Sequence, residues 1–387
     1  MRASRFFHER LLEMRVGLIT TLNTNLGDDF IREGICQVLR EVFEGRSIEF
    51  IAIDKQYPLT VYPPRHPIRV VQNLARSLPR GKGMAATLCE KLCHPFGFSR
   101  FDGCDLIVQC GTPVAWPGCS KTPWGDPLWH RVVGRLSRKG TIVLNLGAGS
   151  CYPWESHGDV FKQRRDALYL RRILGYCRRT TVRDRLAQSI FRRLGEDCPL
   201  IPCPAFLAGK RFADRQAHRE LIVINYMKGG GHYDWGQSID PSRWENVMRE
   251  VIRLLRKDHP VVFLCHDQTE YHLASALDDT VPRFTPADLR EYFTLMSRAK
   301  VGVCNRLHAA VALAGIGIPS VSVGTDTRLL MVEAVGMPSF YVKEATSERL
   351  GDTVHRLLTD AEDLRERLLA LREETWERYV HTVAEVT

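Results

Sequence analysis

No apolar run in the sequence approaches the roughly 20 residues that a membrane-spanning helix needs. The stretch Met1 to Glu13 is charged and lacks the apolar core of a signal peptide. The expectation is a cytoplasmic chain, with loose association at the inner face of an anionic membrane left open. The 12 cysteines form no CxxC pair, and Cys110, Cys265 and Cys304 sit in apolar, strand-like surroundings where a thiol acts as a small hydrophobe. That usage fits a reducing compartment. Cys89, Cys93 and His94 have loose metal-ligand spacing but no second half, so no metal is expected. Lysine is scarce, 11 of the 54 basic residues, the rest being arginine. No basic block is interleaved with aromatics, which argues against a nucleic-acid groove. There is no internal repeat and no low-complexity segment.

What is present is an ordinary globular composition. The 387 residues are 44% hydrophobic and 26% charged, enough for two domains with their own cores. The formal charge of +9 favours anionic partners. Short apolar strands alternate with amphipathic stretches. In the first half the strands are Val16–Thr20, Ile48–Ile53, Asp105–Gln109, Thr141–Leu146 and Thr180–Val182. A weak helix is expected over 68–93. Pro199–Pro204 reads as a last short strand and a linker. A second series follows, with strands at Leu221–Asn225, Val261–Cys265, Lys300–Cys304, Ile318–Val323 and Ser339–Val342, and a long charged helix over about 360–380. The alternation predicts an α/β chain of two Rossmann-like domains, 1–205 and 206–387, with parallel sheets facing a cleft near 205–220.

Ligands of such sheets bind beyond the carboxyl ends of the strands, so the segments after strands hold the candidates. Asn25-Leu-Gly27-Asp28 opens a helix, where free N–H groups suit an anion or a hydroxyl-rich ligand; it reads equally well as a cap and a turn. Gly147-Ala-Gly149 suits a ligand-facing loop or a tight turn. Arg183 could clamp a carboxylate or phosphate with its planar fork, or form an ion pair with Asp184. Asn305-Arg306-Leu307-His308 leads into a nearly all-apolar helix. A cation and an imidazole are costly there unless they serve a site, the plain alternative being a capping Asn305 and a satisfied core histidine. Arg328 begins another helix against the dipole, held there by a ligand or by an ion pair with Asp326 or Glu333. His232 follows three glycines, in a ligand-contacting or simply flexible loop.

Several of these pieces, in this order, resemble the polysaccharide pyruvyltransferase family: Asn25-x-Gly27-Asp28, Val182-Arg183-Asp184, Asn305-Arg306-Leu307-His308, Gly317-Ile-Pro319, Thr325-Asp326-Thr-Arg328 and Ala334-Val-Gly336-Met-Pro338. They span 16–342. The resemblance implies a GT-B-like fold and transfer of a pyruvyl group from phosphoenolpyruvate to two hydroxyls of a sugar, giving a ketal and phosphate. It assigns anion binding to Arg183 and Arg306 and makes His308 the candidate acid. Phosphoenolpyruvate would be a co-substrate bound by the second domain, without further cofactor. A saccharide acceptor, free or lipid-linked, would approach from the first. Arg328 stands where the family usually has Lys. Cys110-Gly111-Thr112-Pro113 replaces a run of glycines, and Cys203-Pro-Ala-Phe206 replaces an acidic residue. Two alternatives stand beside this reading: a glycosyltransferase of the same architecture using a nucleotide sugar, and a non-catalytic sugar- or anion-binding homologue. The acceptor sugar and the oligomeric state are not legible.

Overall fold

The computed structural model describes residues 13–22, 26–77, 98–111, 113–156, 161–212 and 217–387. Asn25 and the Cys89, Cys93, His94 cluster lie outside them. Two parallel sheets organise the chain. The first contains β1 (Glu13–Thr20), β2 (Ser47–Asp54), β3 (Leu106–Cys110), β4 (Pro113–Ala115), β5 (Ile142–Ser150) and β6 (Arg179–Val182), in the order β2-β1-β3-β5-β4 with β6 also on β5. The second contains β7 (Leu221–Asn225), β8 (Val261–Leu264), β9 (Arg283–Phe284), β10 (Ala299–Cys304), β11 (Ser320–Gly324) and β12 (Ser339–Tyr341), in the order β12-β11-β10-β7-β8-β9. β3 (LIVQC) and β11 (SVSVG) are buried throughout, as strands covered on both faces must be. Helices start at built-in caps. Asp240 accepts from Ser242 N ahead of Pro241, and Asp184 accepts from Ala187 N.

Two expectations are corrected. β5 does not end at Leu146: it runs on to Ser150, because β4 and β6 both pair with its far end. Of the helix expected over 68–93, Pro67–Ser77 is helical and 78–93 lies outside the described residues. The segment after Pro202 is no linker. Pro204–Arg211 forms a tight helical turn whose residues from Pro204 to Gly209 are buried. It joins a core cluster that takes Leu18, Phe30 and Leu39 from one half and Tyr292, Ala310 and Leu313 from the other.

Further ties cross between the halves. Pro153 and Asp326 form an antiparallel bridge, and Ser150 Oγ lies 2.9 Å from Thr327 Oγ1. The last helix, Ala361–Ala384, reaches back: Tyr379 Oη donates to Pro202 O at 3.0 Å and Arg378 to Leu200 O at 2.6 Å. No helix among the described residues is long and apolar enough to cross a membrane.

Candidate functional site

A cavity of about 540 Å³ lies where the two sheets present their carboxyl ends. Its lining comes from the segments after β1 (Gly27, Asp28), β2 (Lys55), β4 (Trp116), β5 (Cys151), β7 (His232, Tyr233), β8 (His266, Asp267), β10 (Arg306, His308) and β11 (Arg328). None of its lining comes from residues 205–220, of which Ala205–Gly209 are buried in the junction.

The wall from the second half is fastened by its own hydrogen bonds. Asn305 does not cap a helix. Its Oδ1 accepts from Met227 N at 2.9 Å, and its amide nitrogen donates to Gly230 O and Val323 O, which holds the loop carrying His232. Arg306 N donates to Asn225 Oδ1 at 2.7 Å, and its Nε donates to Glu270 Oε1 at 2.5 Å. Glu270 is buried, and its other oxygen accepts from Asn225 Nδ2 and from His266 N, each at 2.8 Å. The Arg306 guanidinium is therefore aimed, with its terminal nitrogens toward His232 and Asp267, each 3.5 Å away. The helix-start cation Arg328 has the ion-pair partner that was one of its two readings. One edge of its guanidinium, Nε and a terminal nitrogen, donates to the two oxygens of Asp326 at 2.8 and 2.7 Å, and it lies 4.9 Å from the Tyr233 ring centroid. Burial pushes the Asp326 carboxyl up, but Arg328 outweighs it and holds that carboxyl below the usual range.

His308 sits in the first turn of the helix Leu307–Gly315, with Nε2 3.1 Å from a terminal nitrogen of Arg183. Burial, then Arg183, Arg328, His266 and Arg306, drive its pKa well below the ordinary value. An arginine can only donate, so Nε2 is the acceptor and the proton of this neutral ring is on Nδ1. The expected acid is thus unloaded at rest. His232 is shifted down too, by burial and then by Arg306 and Arg328.

Arg183 is fully buried and does not line the cavity. It stands behind His308, donating also to Gly111 O at 3.2 Å, with Cys203 Sγ at 3.6 Å. Its Nε and second terminal nitrogen have no partner among the described residues. Asp184 is occupied elsewhere, by Ser150 N and Oγ and by Ala187 N. Gly149 faces Arg183 and Gly147 faces Pro204, neither of them the cavity, so the ligand-facing loop expected there is corrected. A Cβ on Gly149 would lie 2.4 Å from Arg183 Nε, so the missing side chain is the space the guanidinium fills. Gly147, at φ 70°, abuts the Pro204 ring.

Lys55, His266, Trp116 and Trp124 also line the cavity and were not singled out from the sequence. Burial lowers the Lys55 ammonium to about 8 against the pull of Asp28, with Arg183 adding to the lowering. Burial, then Arg306, takes His266 to about 3, and its Nε2 meets Tyr292 Oη at 2.7 Å. The signal for two of them was available, because Lys55 and His266 each follow closely on an expected strand, whereas no strand was expected directly ahead of Trp116 or Trp124.

The polysaccharide pyruvyl transferase family profile matches residues 25–327. No curated protein sequence matches the chain. Among solved structures, UDP-GlcNAc 2-epimerase from Neisseria meningitidis bound to UDP-GlcNAc is similar at a TM-score of 0.52 and 11% identity, over 96% of this chain and 100% of that one. The Methanocaldococcus jannaschii UDP-GlcNAc 2-epimerase, in complex with UDP-GlcNAc and UDP, is similar at 0.50 and 12% identity, over 89% and 92%. At such identities the likeness is one of fold, the two-sheet GT-B arrangement.

Proposed function

The chain belongs to the polysaccharide pyruvyl transferase family, and from that premise we propose that it moves a pyruvyl group from phosphoenolpyruvate to two hydroxyls of a saccharide, forming a ketal. The observation that carries this reading is the cationic surround of a neutral histidine. Arg306, Arg328 and Lys55 line one cavity with His308, and the buried Arg183 touches His308 from behind. A donor with both a carboxylate and a phosphate meets the guanidinium nitrogens that Glu270 and Asp326 leave open on Arg306 and Arg328, in a partly buried site where opposite charges attract more strongly than in water. Arg306 and Arg328 face the donor's two anionic groups. Arg183 acts through His308 as a positioning residue.

The proton balance defines the task of His308. The two acceptor hydroxyls each lose a proton. One proton ends on C3 of the donor, whose methylene becomes a methyl group. The other leaves with the phosphate. Protonation at C3 makes C2 electrophilic and the first hydroxyl oxygen attacks it. The bridging oxygen departs with the C2–O electron pair, and the second hydroxyl closes the ketal. His308 takes up a proton once the anionic donor raises its basicity, and then delivers it to C3.

Calorimetric titration with phosphoenolpyruvate, with nucleotide sugars alongside, tests the donor. Arg306→Ala would strand the buried Glu270 carboxylate, so Arg306→Lys is the cleaner variant. It keeps the charge and loses the planar fork, and affinity is expected to fall about tenfold. Binding of a nucleotide sugar in place of phosphoenolpyruvate would overturn the donor assignment in favour of glycosyl transfer. No binding of either would favour a non-catalytic role.

A further inference from the structure

The donor reading sets Arg306 and Arg328 on the donor's two anionic groups and gives the opposite wall no ligand to hold. That wall has different chemistry. Trp116 follows β4, and Trp124 precedes the helical segment Gly125–Val133. Their ring centroids are 5.8 Å apart, with the planes at 54°. Both are half-buried, packed against the core of the first half, and both line the cavity. Lys55 enters beside them, its ammonium 5.5 Å from the Trp124 ring centroid. Among the described residues Lys55 makes no ion pair. Asp28 lines the same cavity from the first turn of the helix Leu26–Val42.

Two indoles on an open cavity wall gain from an apolar surface that covers them. Phosphoenolpyruvate has no such surface, being small and charged at both ends. A pyranose ring does. The C–H bonds on one of its faces form a flat apolar patch, and its rim of hydroxyls needs polar partners. The cavity of about 540 Å³ leaves room for both ligands.

Resting on the pyruvyl-transfer reading, we propose that Trp116, Trp124 and Lys55 form the acceptor subsite, which takes one pyranose ring with its C–H face on the indoles and a rim hydroxyl on the Lys55 amine. The ring is then held on the first wall and the donor on the second, so the hydroxyls meet C2 between them. The amine also suits the unfilled part of the proton balance. With its pKa lowered to about 8, a fraction of it is neutral near physiological pH and able to accept a proton from the attacking hydroxyl.

The test is saturation-transfer NMR with methyl glycosides of glucose, galactose, mannose, N-acetylglucosamine and N-acetylgalactosamine, without phosphoenolpyruvate. At least one glycoside is expected to bind, with saturation concentrated on the C–H protons of one ring face. Trp124→Ala is expected to weaken that binding about tenfold, and Trp124→Phe to restore most of it. Lys55→Met is expected to weaken it about threefold. Should Trp124→Ala fold poorly, the glycoside-induced change in indole fluorescence of the wild-type chain, lost in Trp124→Phe, reads the same contact. Absence of binding by every glycoside, or binding indifferent to both residue 124 variants, overturns the subsite. Failure of the donor reading shows separately, as absent phosphoenolpyruvate binding in calorimetry.

Discussion

At the end of β10 the chain leaves the sheet, and Arg306 and His308 face the cavity. At the end of β5 the residues Asn145 to Ser150 stay in the sheet, and their glycines face the protein itself. Both segments follow an apolar parallel strand and both carry asparagine beside residues suited to a ligand. The difference lies in the neighbours. β5 is extended by β4 and β6, then continues into a bridge with Asp326 of the other half. β10 ends level with β7, and Asn225 of β7 takes the backbone N–H groups of the turn: its carbonyl accepts from Asn305 N and its side chain from Arg306 N. A small residue after a strand therefore marks a close approach without saying whose atoms approach. At Gly149 they belong to Arg183.

The sharpest test of this contrast is acid. The β10 side of the cavity holds neutral histidines. His266 has a folded pKa of about 3, so the unfolded chain takes up its proton first, from about pH 6.5 downward. Stability is then lost as pH falls. From pH 6.5 to 5 the loss from His266 is about 2 kcal/mol, and His308 adds in the same direction. Denaturant titration at several pH values should show a shallower slope in His266→Gln. An unchanged slope would place the acid sensitivity elsewhere.

Gly149→Ala probes the other strand end. The new methyl group displaces the Arg183 guanidinium, with an expected loss of 1 to 3 kcal/mol, to order of magnitude about 2, in thermal or denaturant unfolding. Because Arg183 also meets His308, phosphoenolpyruvate affinity should fall with it, by about tenfold. Lost stability with unchanged affinity would break the link between the two strand ends.

Binding of the donor should load His308. Below pH 7, calorimetry in buffers of different ionisation enthalpy is expected to reveal net uptake of a fraction of a proton, up to about one. Heats independent of the buffer would remove His308 from the proton path. The smallest effect is expected at Thr181, whose Oγ1 accepts from Gly147 N at 2.8 Å. Thr181→Val should cost about 1 kcal/mol in unfolding and leave phosphoenolpyruvate affinity alone, since this bond only braces β5. A change in affinity would draw β5 into the site after all.

Much of the molecule was legible because parallel sheets write themselves plainly. Runs such as Leu221–Asn225 and Lys300–Cys304 are apolar for want of a solvent face, and Asp240-Pro241 announces a helix start. His308 and Arg306 stood out because a charge entering an all-apolar helix is costly without a purpose. Lys55 and His266 did not stand out. Each is a single polar residue after a strand, and only burial in the assembled fold, with Arg183 adding to it at Lys55 and Arg306 at His266, makes its ionisation unusual. The buried turn Pro204–Arg211 was read as a linker because prolines and small residues suit a connector as well as a closely packed junction.

The order of strands and helices was determined by the sequence alone, since burial on both faces and helix capping are local demands. Which strand ends meet one another was decided only by tertiary structure. The pairing of β5 with β4 and β6, the core cluster shared by both halves and the seat of Arg183 behind His308 all depend on contacts between residues far apart in the chain. No local pattern encodes such contacts, because the free energy that selects them is that of the packed whole.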